Sequence, residues 1–157
     1  MSCNILLAVD ESKNSSKAID WVRKNINKDA SVTLLSILPD ATSACGMDSP
    51  SLSPLFKENS QTFCGLEDAK RARVREFTAD ARAKLVRAGF DSGKVVIRVR
   101  KKKSGIARDI LKESKTGKYD TLVIGRHGLT GIKGFFFGSI ANKIVQLAVG
   151  ITVIVAD

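Results

Sequence analysis

The sequence has one histidine, three cysteines, three prolines, one tryptophan and one tyrosine, and each scarcity removes a class of protein. With His127 alone and no C-x-x-C spacing, the ligands for a zinc site are missing. Cys3, Cys45 and Cys64 are odd in number and scattered, which is not a disulfide framework, so they are expected to be reduced, structural thiols. No apolar run approaches the roughly 20 residues that span a bilayer. The opening "MSCNILLAVDESK" has too short an apolar run for a signal peptide and no basic n-region. A soluble, cytoplasmic protein with no membrane partner is therefore expected.

Aromatic residues are also few, at 6% of the chain, and this bears on its charge. The formal net charge of +10 favours association with any polyanion. Much of it lies in "AKRARVREF" (Ala69 to Phe77) and "RVRKKKSG" (Arg98 to Gly105). Folds that read single-stranded nucleic acid interleave aromatics with their basic groups, and only Phe77 occurs in these stretches. A solvated basic face is expected in preference to a nucleic-acid partner.

What the chain does have is 157 residues with 43% hydrophobic content, enough for one domain with a core. "NILLAV" (Asn4 to Val9) is a short, nearly continuous apolar run, as a strand buried on both faces requires. A helix follows in "ESKNSSKAIDWVRKNI", with Ala18, Ile19, Val22 and Ile26 at helical spacing and Ser15 or Ser16 near its start. "SVTLLSIL" (Ser31 to Leu38) reads as a second strand, and the βαβ crossover between the two should be right-handed. All three prolines fall in the next stretch, 39–65, which reads as a variable loop or insertion. From Leu66 a helix resumes, with Val74, Phe77, Ala81, Leu85 and Ala88 on one stripe and Gly89 placed to end it.

"KVVIRVR" (Lys94 to Arg100) alternates as an edge-side strand would. "GIARDILKES" (Gly105 to Ser114) reads as a helix with Ile106 and Ile110 inward, and "DTLVIG" (Asp120 to Gly125) as a buried strand. "SIANKIVQLAVG" (Ser139 to Gly150) reads as a helix closed by glycine, and "ITVIVA" (Ile151 to Ala156) as the last strand. Strands alternating with helices in this way indicate an α/β fold: an open, doubly wound parallel five-stranded sheet, Rossmann-like, with helices on both faces.

Between the fourth strand and the last helix lies "GRHGLTGIKGFFFGS", Gly125 to Ser139. Doubly wound sheets bind ligands beyond the carboxyl ends of their strands, and the first amides of a helix lack intrahelical partners. Glycine and serine at such a helix start admit a phosphate to the backbone. Neither G-x-x-x-x-G-K-[ST] nor a G-x-G-x-x-G after the first strand is present. The spacing Gly125, two residues, Gly128, nine residues, Gly138, Ser139 resembles the G-2x-G-9x-G-[S/T] pattern of the nucleotide-binding branch of the universal stress protein family. "NILLAVDESKNSSKAI", "SVTLLSIL", "YDTLVIGRHGLTGIKGFFFGSIANKIV" and the terminal strand extend the resemblance over nearly all the chain except Pro39 to Gly65.

The resemblance implies a single domain over 1–157, the strand order 3-2-1-4-5, and ATP across the tips of the first and fourth strands. It implies that Asp10 contacts the nucleoside and that the backbone of Ile37 bonds the adenine edge. Ile124 and Gly125 would lie against adenine and ribose, with Ala8 and Val9 as the floor. Gly128, Gly138, Ser139 and the N–H of Ile140 would hold the phosphates. The expected cofactor is ATP, with AMP or ADP as alternatives and Mg2+ as a companion ion. The family also pairs last strands across a dimer, here Ile151 to Ala156, and carries a regulatory role toward a client that the sequence does not identify. Many relatives have proline before that strand, where this chain has Gly150 and Ile151.

Several residues admit two readings. Asp10 serves a nucleoside or caps the first helix, and Ser139 is compatible with both capping and phosphate binding. Arg126 neutralises phosphate or faces solvent. His127 touches ligand at most, because no orienting carboxylate or nucleophile is evident for catalysis. Phe135 to Phe137 pack the loop against the sheet or against a partner subunit. Two further function classes stay open: a slow ATPase, and a polyanion-binding stress factor using the basic surface.

Overall fold

The computed structural model describes residues 3–39, 54–128 and 137–157. In chain order the elements are β1 (Asn4–Ala8), α1 (Lys13–Asn25), β2 (Ser31–Leu38), α2 (Pro54–Arg87), β3 (Val95–Lys101), α3 (Ile106–Thr116), β4 (Thr121–Gly125), α4 (Ser139–Leu147) and β5 (Thr152–Ala156). The five strands are ordered β3-β2-β1-β4-β5 and all neighbouring pairs are parallel. This is the expected α/β architecture.

Side-chain alternation along the central strands divides the core in two. Ile5, Leu7 and Val9 point to one face, where they pack with Ala18, Ile19 and Val22 of α1 and Ala81 and Leu85 of α2. Leu6 and Ala8 point to the other, against Ala107, Ile110 and Leu111 of α3 and Ala141 and Ile144 of α4. A strand covered on both sides has no solvent face, which is why "NILLAV" shows no polar alternation. β3 is an edge, and its alternation sends Arg98 and Arg100 to the α3 side. There they take the two carboxylate oxygens of buried Glu113 at 2.5 and 3.1 Å.

Three boundaries differ from expectation. α2 begins at Pro54, within the stretch read as loop; proline suits a first helical turn, where its missing N–H has no intrahelical partner to lose. The rest of that stretch, 40–53, lies outside the described residues. α1 is capped by Ser12, whose Oγ accepts from the Ser15 N–H at 3.1 Å, so Ser15 is inside the helix. α4 ends at Leu147, and Gly150, with φ of 72°, makes the turn into β5 instead of capping the helix. Gly89 does end α2, with φ of 102°. Among the described residues no helix is long and apolar enough to cross a membrane.

Gly125, the last residue of β4, lies against α1 so closely that a Cβ there would sit 2.8 Å from the carbonyl carbon and oxygen of Asn14. Neither group is a flexible side-chain end, so α1 and β4 must separate to admit it. Gly125→Ala is expected to destabilise the fold by about 1–3 kcal/mol, measured as a lower midpoint of urea denaturation. An unchanged midpoint would show that the helix yields freely.

Candidate functional site

Strand order reverses between β1 and β4, and a cleft opens beyond the carboxyl ends of these strands, as doubly wound sheets lead one to expect. It has two connected parts. The inner recess is mostly apolar, lined by Ala8, Val9, Leu35, Ile37, Ile106, Ile110, Ile124 and Ile140, with Asp10, Ser15, His127 and Gly128 at its border. The outer chamber, about 600 Å³, adds Glu11, Lys70, Val74, Phe137, Gly138, Ser139 and Asn142. Its size lies within the usual range for small-molecule sites, roughly 300–1,000 Å³.

Backbone geometry gives the recess its polarity. On β2, odd-numbered residues bond toward β1: Ser31 N–H donates to Cys3 O, and Leu35 O accepts from Val9 N–H, both at 2.9 Å. Even-numbered residues bond toward β3, as Val32 N–H does with Lys94 O and Leu38 O with Lys102 N–H. Ile37 is odd, so its N–H and C=O face the β1 side, but β1 ends at Ala8 in register with Leu35. The ladder supplies them no partner there. One amide donor and one carbonyl acceptor therefore border an apolar recess.

Asp10 is held by a local network. Its Oδ1 accepts from Ser15 Oγ–H at 2.7 Å and from Ser12 N–H at 3.0 Å, while its own N–H donates to Ser15 Oγ at 2.9 Å. Oδ1 thus helps to order the turn before α1, but the helix cap is Ser12 and not Asp10. Oδ2 is turned toward Gly128, where a Cβ would stand 2.9 Å from it.

The start of α4, like that of α3, has no side-chain cap. Its N-cap is Gly138, which has no side chain to cap with, and Ser139 is the first helical residue and not the cap. Asn142 N–H takes the Gly138 carbonyl at 2.9 Å, so the amides of Ser139, Ile140 and Ala141 have no intrahelical acceptor. Ser12 caps α1, whereas the N-cap of α3 is again a glycine, Gly105, and the Asp109 carboxylate accepts from Lys103 and Ser104 N–H in the loop before it. Gly138 has an ordinary φ of −66°, so its requirement is space and not torsion. A Cβ there would lie 3.2 Å from His127 Cα and 3.3 Å from the Arg126 carbonyl, which already accepts the Gly138 N–H at 2.9 Å.

Eleven of the twelve candidate residues from the sequence line one or both parts of the cleft: Ala8, Val9, Asp10, Ile37, Ile124, Gly125, His127, Gly128, Gly138, Ser139 and Ile140. Arg126 lines neither. Its guanidinium meets Asp157 at 2.6 Å, and this hydrogen bond, with a second from Lys17, holds the Asp157 carboxyl below its ordinary value. Of the phenylalanines, Phe137 is partly exposed and lines the outer chamber; Phe135 and Phe136 lie outside the described residues. Sequence reasoning missed Ile106, Ile110 and Ala141 as lining residues, because helical spacing marks them only as core. It also missed Lys70 and Val74, whose place depends on where α2 crosses the cleft.

Two features fit a polar, anionic ligand. Among the described residues His127 Nδ1 is buried without a hydrogen-bond partner, and an orphaned polar atom at a cleft wall calls for one. The uncapped α4 amides converge on the same chamber and carry partial positive charge. Among the described residues no cluster of His, Cys, Asp and Glu could hold a metal ion.

Comparison with known proteins accords with this geometry. The sequence profile of the universal stress protein family matches residues 1–155. No curated protein sequence matches significantly. Among solved structures, a universal stress protein from Lactobacillus plantarum is 21% identical with a TM-score of 0.70, covering 99% of this chain and 97% of that one. One from Archaeoglobus fulgidus in complex with dAMP is 14% identical with a TM-score of 0.63, over 100% and 98% of the two chains. A family protein from Arabidopsis thaliana with AMP bound is 16% identical with a TM-score of 0.54, over 99% and 92%. At these identities the structural likeness is one of fold.

Burying His127 Nδ1 unpaired costs the ligand-free protein stability. His127→Leu is therefore expected to raise the melting temperature of the ligand-free protein by a few degrees, about 1 kcal/mol. A lower melting temperature would instead mark the imidazole as a packing residue.

Proposed function

The chain belongs to the universal stress protein family, and from that premise we propose that it is a cytoplasmic, homodimeric ATP-binding module whose occupancy regulates a client. The observation that carries the nucleotide reading is the pair of Ile37 backbone groups at the apolar recess. Adenine presents a donor at N6 beside an acceptor at N1, the complement of a carbonyl and an amide on one residue. Guanine reverses that pattern and would leave buried groups unpaired, at about 1–3 kcal/mol each. The AMP and dAMP bound by two fold relatives support an adenine ligand.

In this reading Ile124, Ile106 and Ile140 enclose the base, and Asp10 Oδ2 is the acceptor nearest the sugar. Gly128, Gly138, Ser139 and the Ile140 amide would hold the phosphates, because bare backbone lets them approach the α4 amides closely. The phosphates supply the negative charge that these amides and His127 attract; Mg2+ would accompany them. Arg126 takes part through its carbonyl, which fixes Gly138 beside His127. We propose binding as the activity, with slow hydrolysis as the enzymatic alternative.

Calorimetric titration tests this directly. ATP is expected to bind, GTP to bind at least tenfold more weakly, and Gly138→Val to abolish ATP binding while circular dichroism stays native. Equal affinity for ATP and GTP would show that the base is not read by Ile37. Retained ATP binding in Gly138→Val would remove the phosphate cradle from α4.

The dimer is supported by β5, an edge strand whose Val153, Ile154 and Val155 are only partly buried, beside exposed Val145, Leu147 and Val149. An unpaired apolar edge invites strand pairing, and an antiparallel β5–β5 contact would be two-fold symmetric. Sedimentation at tens of micromolar, an order-of-magnitude choice for an obligate pair, is expected to give a dimer that Val153→Pro weakens. A monomeric wild type overturns the assembly.

A further inference from the structure

We propose that Lys70 of α2 contacts the distal phosphates of the bound nucleotide and so makes the site discriminate by phosphate number. The inference rests on the nucleotide reading above and concerns a residue outside the glycine motif. Lys70 lines the outer chamber only, and it is the one lysine or arginine among the described residues lining either part of the cleft. The inner and outer parts meet at a neck formed by Asp10, Ile37, Ile106, His127, Gly128 and Ile140. A nucleotide with its base in the inner recess brings its first phosphate to this neck and sends any others outward, toward Lys70.

The lysine is held there by its helix. Val74, one turn further along the same face, is 4% exposed and lines the same chamber, so this side of α2 faces inward. Between them Arg73 reaches across to Glu11 at 3.4 Å, tying α2 to the loop after β1. That ion pair engages one of the chamber's two carboxylates, and the Ser12–Ser15 network engages the other, Asp10. Lys70 itself has no ion pair or hydrogen bond among the described residues. A lysine ammonium is a compact point charge on a flexible stem, suited to a phosphate with several free oxygens. AMP has its only phosphate at the neck; ATP extends beyond it.

The test is titration of the full chain with ATP, ADP and AMP, for wild type, Lys70→Gln and, as a control on the exposed face of α2, Arg75→Gln. Lys70→Gln is expected to weaken ATP about tenfold, as loss of a charge-assisted contact does, and AMP by less than about twofold, as for a distant exposed charge. ADP should fall between, Arg75→Gln should change neither, and Lys70→Arg should restore most of the preference. If Lys70→Gln leaves ATP unchanged, or weakens ATP and AMP equally, the inference fails while the nucleotide reading stands. A wild type that binds none of the three overturns the nucleotide reading and this inference with it.

Discussion

The site exists because β1 is shorter than β2. β1 stops at Ala8, in register with Leu35, and β2 runs on to Leu38. A parallel strand turns alternate residues to alternate neighbours, so every odd residue of β2 needs β1 for its hydrogen bonds. Ile37 is the first to find β1 gone. A further pair of residues on β1 would satisfy it and fill the recess with backbone. The chain instead turns away at Val9 and Asp10, whose last ladder contact is the Val9–Leu35 bond at 2.9 Å. The recess, its polarity and the position of Asp10 all follow from that early turn.

The glycines of the motif answer a second constraint, which is crowding at the sheet tip. Gly125 fits against Asn14, Gly128 against Asp10 and Gly138 against His127, in each case at a distance that a Cβ would violate or strain. None of the three has the positive φ found at Gly89, Gly105 and Gly150. Their spacing therefore records contacts between distant segments more than local turn geometry. Removing side chains at these points lets β4, the start of α1 and the start of α4 converge on one place.

This explains what was legible in the sequence. Continuous apolar runs in β1, β2 and β4 announced strands buried twice, and the Gly125–Gly128–Gly138–Ser139 spacing marked residues that line the cleft between β4 and α4. Ile106 and Ile110 were legible as an inner helix face, but their place over the tips of β1 and β2 depends on strand order, which periodicity does not encode. Pro54 was misread as a loop residue because proline marks a helix start as readily as a break. Lys70 was hidden in a basic run. A charge run announces solvation, and only the crossing of α2 over the cleft separates one lysine from its neighbours.

The electrostatics of the cleft carry the argument from shape to ligand. Its acidic groups are engaged by the protein itself: Asp10 through Oδ1 by Ser12 and Ser15, and Glu11 by Arg73. Its hydrogen-bond donors and its cation are not: the first amides of α4 lack a side-chain cap, and among the described residues Lys70 has no counter-ion. His127 Nδ1 adds a buried polar atom without a partner among the described residues. A Ser, Thr or Asp at the head of α4, such as Ser12 at α1, would add a few tenths of a kcal/mol over glycine. Gly138 forgoes that gain and opens the helix end to the chamber. Engaged acids beside donors without an intrahelical or side-chain partner suit an anion, and the apolar recess beside Ile37 suits a flat, hydrogen-bonding base, which is the ground of the proposed nucleotide reading.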